Sequence, residues 1–265
     1  MDAGLEQGFH VFDDDVGSIL AGVDRIAMVR GVRTLLELAG LSERVHGTRD
    51  AASTVQRFSN WYRHHSDMAH FGWVHLAAEP SELLEVDAAI GDLLAQVDEA
   101  LRTGDTLVIV AGVSGRPEEG RRFLTDAEVH VPLIVRAPDA DRVVPRVEAQ
   151  VRLMDVGATV MDYVRLDTLG ETEGVTLLGY GEGLRKQDMW CGLVGKDEAG
   201  RTLLGLRNNG IKWVRDPDDQ DHLFDLAEDP SEQTDIAQQQ EATVRAARTL
   251  MSPDIVAFRR FEVTR

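Results

Sequence analysis

The sequence predicts an α/β protein, and three observations carry that reading. Two continuous apolar, β-branched runs, TLVIV at 106–110 and VPLIVRA at 131–137, have the texture of buried strands. Helical patterns at 81–102 and 152–164 alternate with them, which implies part of a parallel sheet with flanking helices. After residue 168 the texture changes to short strands joined by turn chemistry, which reads as a small antiparallel sheet with a packing helix. The expected division is therefore a main domain over 1–168 and a small α+β subdomain over 169–265.

In chain order, residues 18–39 carry apolar residues at helical spacing, with Gly40 as a stop. Residues 50–64 read as a second amphipathic helix with Val55, Phe58 and Tyr62 on one side. FGWVHLA at 71–77 reads as a buried strand. The helix over 81–102 has Ser81 as its N-cap candidate and a stripe of Leu83, Val86, Ile90, Leu93, Leu94 and Val97. In the helix over 152–164, Leu153, Val156, Val160 and Tyr163 share a face. Strands are expected at 174–180, 189–195, 202–208, 211–216 and 222–226, and a last helix over 232–250.

Composition narrows the function classes. The net charge of −18 repels nucleic acid and anionic membranes, so neither is an expected partner. No apolar run reaches the roughly 18–20 residues needed to span a bilayer. The first fifteen residues have neither a basic n-region nor an apolar h-region, so the expected location is cytoplasmic. Only three of the 28 basic residues are lysines, Lys186, Lys196 and Lys212. Acid excess with so little lysine suggests a high-salt cytoplasm, where salt screens carboxylate repulsion; a GC-rich coding sequence would also favour arginine. The single cysteine, Cys191, excludes an internal disulfide and reads as an inert thiol, since no CxxC or basic cluster activates it.

Five segments in series resemble the C-terminal half of sulfatases, in the alkaline phosphatase superfamily. They are GWVHL at 72–76, GDTLVIV at 104–110, EVHVPLIVRAP at 128–138, RLMDVGATVMDYVRLD at 152–167, and IKWVRD with HLFDLAEDPSEQTDIA across 211–237. GFHVFDD at 8–14 also looks like a sulfatase segment. The resemblance implies a partial alkaline-phosphatase-like sheet and, for the family, sulfuric ester hydrolysis with a divalent cation such as calcium or magnesium. The family's paired-aspartate strand and its C/S-x-P-S-R nucleophile motif have no counterpart in these 265 residues. Cys191, followed by GLVG, lies in the wrong context for that nucleophile.

Ligands of open α/β sheets sit beyond the carboxyl ends of strands, so the loop after TLVIV is the natural site. In sulfatases it reads T-S-D-H-G, with the Asp and His as metal ligands. Here the five positions are Ala111, Gly112, Val113, Ser114 and Gly115. Valine ligates nothing, and serine is a poor divalent ligand without carboxylates nearby, so no metal and no catalytic residue is expected. Ser114 lies in G-x-S-G rather than the G-x-S-x-G of a nucleophile elbow and reads as a small turn residue. The family's D-P-H-x-P-Y is replaced by AAEPSE at 77–82, and its sulfate-contacting His and Lys by EEGRRF at 118–123. Within the latter, Arg121 and Arg122 are weak anion-contact candidates by charge.

Other clusters read as structural. His64, His65, Asp67 and His70 resemble a transition-metal set, but adjacent His64 and His65 cannot easily share one ion. His75 reads as a core histidine within its strand. Asp13, Asp14 and Asp15 read as an acidic turn or helix start, and the 216–221 run DPDDQD as a solvated hairpin loop.

The function expected from these readings is a sulfatase-like protein that is inactive alone, with a binding or interaction role. The alternative is half of a split sulfatase or phosphoesterase. The missing half would leave apolar strand faces open, to be covered by a homodimer contact, a partner chain or the helices within 18–64.

Overall fold

The computed structural model describes residues 49–65, 68–77, 80–103, 106–115, 124–137, 146–147, 149–166, 173–178, 190–197, 199–208 and 210–251. The expected helix over 18–39 and the acidic turn at Asp13–Asp15 lie outside them. The chain divides into two compact units, Met1–Ala100 and Leu101–Arg265.

The first unit contains helix α1 (Ala51–His65), a single 3-10 turn (Pro80–Glu82) and most of helix α2 (Leu83–Thr103). Asp50 caps α1: its carboxylate accepts the Ser53 backbone N–H at 2.7 Å and the Ser53 hydroxyl at 2.7 Å. Those bonds, the backbone one foremost, hold Asp50 below the usual carboxylate range. Ala51, Val55, Ser59 and Tyr62 form the buried stripe of α1. Ala51 and Val55 pack with Ala89, Val86 and Leu93 of α2 and with Leu76. Leu83, expected in the α2 stripe, is exposed.

Segment 71–77 is not a strand. It is irregular among the described residues, and Phe71 and Trp73 are exposed. A buried strand needs neighbours to take its backbone groups, and none is described beside this one. Gly72 instead passes over the Phe58 ring, where a Cβ would come within 2.7 Å.

In the second unit, strand β1 (Val108–Ala111) pairs with strand β2 (Leu133–Arg136), Val108 opposite Arg136 and Ala111 opposite Leu133. The pairing is antiparallel, which corrects the parallel arrangement expected for these two runs. The ladder continues at the end where β1 leaves, with Gly112 N–H donating to the Pro132 carbonyl at 2.9 Å. The connection thus returns to the same end of the sheet, whereas a parallel pair needs a crossover to the opposite end. No residue of either strand is buried, and Ile134 is 62% exposed.

Helix α3 (Asp126–Val129) is one turn long and lies between these strands in sequence. Helix α4 (Met154–Tyr163) follows β2. Its buried residues are Asp155 and Thr159, not the apolar face expected, and Leu153 is exposed. Asp155 accepts the N–H groups of Arg152 (2.8 Å) and Val175 (3.0 Å) and pairs with the Arg152 guanidinium at 3.0 Å. The Thr159 hydroxyl donates to the Asp155 carbonyl and accepts the Leu177 N–H. These polar groups tie the chain at 173–178 to α4. That stretch is irregular where described, so no strand forms there.

Strands β3 (Cys191–Lys196), β4 (Thr202–Arg207), β5 (Ile211–Arg215) and β6 (Asp221–Asp225) form an antiparallel meander in that order. Each turn is built by a side chain holding backbone N–H groups. Asp197 accepts those of Ala199 and Arg201, Asn208 those of Gly210 and Ile211, and Asp216 those of Asp218 and Gln220. Gly200 takes a φ of +77°. The DPDDQD run is the β5–β6 turn, as its composition predicts.

One face of the meander presents Leu206, Trp213 and Leu223 to helix α5 (241–251), which contributes Val244, Ala247 and Met251. The helix begins later than expected, at residue 241, because 232–236 run irregularly and 237–239 form a turn. The other face buries Leu203 and Val214 against Leu124, with Leu193 and Val129 at the margin.

Candidate functional site

Ala111 ends β1, and residues 112–115 follow without helix or strand. Val113 is 71% exposed and Ser114 is exposed, so neither side chain is enclosed with other groups. The loop is fixed by its backbone: Gly115 N–H donates to the Glu128 carbonyl at 2.7 Å. A Cβ at Gly115 would lie 1.9 Å from the Ala127 carbonyl oxygen, so only glycine lets the loop cross α3 this closely.

The described loop residues, 112–115, offer no carboxylate or imidazole to a divalent cation. Valine offers no donor atom, and among the described residues no three His, Cys, Asp or Glu side chains gather to hold an ion. Arg121 and Arg122, the weak anion-contact candidates, lie outside the described residues, as does Asp67.

Three histidines of the first unit, His64, His65 and His70, are engaged locally. His64, His65 and His70 each use Nδ1 on a backbone carbonyl, of Asn60, Trp61 and Met68, at 2.7, 2.7 and 2.9 Å. His65 stacks on Trp61 with centroids 5.0 Å apart, and His70 meets Trp61 and Tyr62 edge-on. His75 is exposed rather than a core residue, because its segment is not a strand. The Cys191 thiol is pushed up by burial, which leaves it protonated and a weak nucleophile.

The densest chemistry is one that sequence reasoning missed. Arg207 of β4 and Lys212 of β5 are direct cross-strand partners. Asp126 of α3 receives Arg207 Nη2 at 2.6 Å and Nε at 2.9 Å, and Lys212 Nζ at 3.0 Å. Glu232 receives Lys212 Nζ at 2.7 Å and the Asp126 N–H at 2.7 Å. Gln150 accepts from Arg207 and donates to its carbonyl. Lys212 is fully buried and Glu232 nearly so. Burial alone would raise the Asp126 carboxyl, but the Arg207 bonds and the charge of Lys212 outweigh it and hold it below the usual range. Arg207 is raised in turn, first by its bond to Asp126. Two cations and two carboxylates leave the group near electroneutral, which suits a static tie between α3 and the sheet rather than a proton-transfer pair.

Solved structures share the fold. A candidate sulfatase from Bacteroides fragilis superposes with a TM-score of 0.58 at 15% identity, over 77% of this chain and 59% of its own. A phosphonate monoester hydrolase from Agrobacterium radiobacter gives 0.51 at 25% identity, over 67% and 39%. A structure solved with its substrate D-glucosamine-2-N,6-O-disulfate gives 0.52 at 18% identity, over 65% and 38%. The chain has a sulfatase-like fold. It spans between 38% and 59% of the length of these solved chains. No protein-family model and no curated sequence matches it. Among the described residues no helix is long and apolar enough to cross a membrane.

Proposed function

We propose that this chain is a catalytically inactive sulfatase-like protein with a binding or interaction role. One observation carries the reading: Val113 and Ser114 stand at the loop positions where the family places its metal-ligating Asp and His. Without those donors residues 112–115 offer no carboxylate or imidazole to hold an ion that would polarise a sulfate or phosphate ester. The test is hydrolysis of an aryl sulfate and an aryl phosphate by the purified chain, with calcium or magnesium. The expected result is no turnover above buffer and no metal-dependent rise in melting temperature. Turnover that co-purifies with the chain and is lost on chelation overturns the proposal.

A second reading is favoured by β1 and β2, whose β-branched residues are nowhere buried. A two-stranded sheet of this kind is marginal by itself and suits completion by a second chain or a second copy. The chain would then be one half of a split sulfatase or phosphoesterase. Light scattering of the pure chain tests for the second copy. Co-expression with a chain carrying the paired-aspartate strand and the C/S-x-P-S-R motif tests for the other half, and ester hydrolysis by that complex alone would favour it over the first reading.

A further inference from the structure

We infer that residues 124–130 form a strap which opens as a unit from the β3–β6 sheet and carries the 112–115 loop with it, held shut by the charge of Asp126. Two ties hold the strap to the sheet most firmly, with Val129 at the margin of the same apolar cluster and the Asp126 N–H donating to Glu232 at 2.7 Å. Leu124 is buried in a socket that strand glycines provide: a Cβ at Gly195 would meet Leu124 Cδ2 at 2.5 Å, and one at Gly205 its Cδ1 at 3.4 Å. Two residues on, the Asp126 carboxylate bridges Arg207 and Lys212. Between the ties, the Thr125 hydroxyl is buried without a hydrogen-bond partner, a cost of the closed state that water would relieve on opening. Inside the strap, the bonds run locally, from Glu128, Val129 and His130 N–H to the Thr125 and Asp126 carbonyls. They survive opening, which makes the strap a unit. Gly115, bonded to Glu128 and packed on the Ala127 carbonyl, moves with it.

The charged groups around Asp126 are Arg207 on β4, Lys212 on β5 and Glu232 after β6, with Gln150 on Arg207. Neutralising Asp126 leaves Arg207 without its carboxylate partner and Lys212 with Glu232 alone. Opening then returns both cations to water, whereas closing leaves Lys212 buried and Arg207 partly buried with one negative charge between them. The strap is therefore the part of the second unit most sensitive to the charge at position 126. The apolar core of Trp213, Leu223 and Met251 on the opposite face contains no titratable group and stays formed.

Backbone hydrogen exchange on the full chain tests this at pH 7, as a function of low urea concentrations. In the wild type, the amides of Gly115 and of residues 128–130 are expected to exchange through a small opening nearly independent of urea. Those of 203–206 and 223–224 should need the urea-dependent global opening. Asp126→Asn is expected to speed the strap amides by at least about tenfold, the loss of a charged hydrogen bond, with little change in the sheet amides. Leu124→Ala should also speed the strap, and its strap amides should still respond to acid, where Asp126→Asn does not. A single urea-dependent opening shared by strap and sheet in the wild type overturns the inference, whether or not the variants fold. So does an unchanged strap rate in folded Asp126→Asn.

Discussion

Arg207 and Lys212 face each other across neighbouring strands of the C-terminal sheet, and the second is completely buried. Like charges in that relation repel and weaken a sheet. Here Asp126 and Glu232 supply two carboxylates from outside the strand pair, and each cation is held at 3.0 Å or less. The repulsion becomes a cross-link between α3, the two strands and the segment after β6. Removing one member of such a group leaves a buried charge uncompensated, which costs about 3–5 kcal/mol. Glu232→Ala is expected to lose that much, read as a fall in the urea midpoint at pH 7. A loss under about 1 kcal/mol would mean that water reaches Lys212 readily.

The Leu124 socket gives a second test, through coupling rather than size. Gly195→Ala places a methyl group 2.5 Å from the Leu124 side chain and should cost about 1–3 kcal/mol by overpacking. Leu124→Ala alone should cost about 2–5 kcal/mol for the emptied site. Combined, the smaller side chain makes room for the new methyl, so the double variant should be more stable than the two costs summed. Strict additivity in urea unfolding would show that Leu124 does not occupy the socket.

Much of the fold is legible in the sequence, and the failures have physical causes. Strands β3 to β6 announce themselves through apolar runs separated by Asp, Asn and Gly turns, all of it local information. The strap–sheet tie is long-range: Asp126 lies 86 residues from Lys212 and 81 from Arg207. Period-two alternation in IKWVRD puts Lys212 on the face away from Trp213, which a strand reading assigns to solvent. The signal available was that face's other occupant: Val214 shares it and is buried, so both faces are covered and the lysine needs a carboxylate. Segment 71–77 failed in the opposite direction. Its composition is strand-like, but composition cannot supply a neighbouring strand. At the loop, residue identity says more than geometry, since the Val113 side chain has no donor atom to offer an ion.

Acid should destabilise the protein, and the sign follows from the carboxylates. Asp126, Asp216 and Asp235 are all held below their ordinary value in the fold. For Asp216 and Asp235, burial raises the group and is outweighed by bonds from backbone N–H groups and from His222. A depressed carboxylate contributes stability that is fully present above its unfolded value, about 3.9, and is lost as pH falls through the folded one. Urea midpoints should therefore be steady from pH 7 to about 5 and fall below about 4. Asp235→Asn should have a lower midpoint at neutral pH and a shallower fall in acid. An equal fall in wild type and variant would assign the acid transition elsewhere.

Salt provides the last prediction, and it bears on the environment the chain is built for. A net charge of −18 on 265 residues repels itself across the surface, and the repulsion is long-range enough to be screened. The ties that hold the C-terminal sheet are the opposite case. Lys212 and Glu232 are buried and paired, and Asp126, partly buried, closes on the same ammonium, so salt weakens these ties little. Added potassium chloride should thus raise the melting temperature steadily from dilute buffer into the molar range, because it removes repulsion without dissolving the buried attractions. Neutral sodium and potassium salts should act alike, since the effect is screening rather than a specific site. A melting temperature already maximal in dilute buffer would show that the acidic surface is not adapted to high salt, and would leave the arginine-for-lysine bias to coding composition.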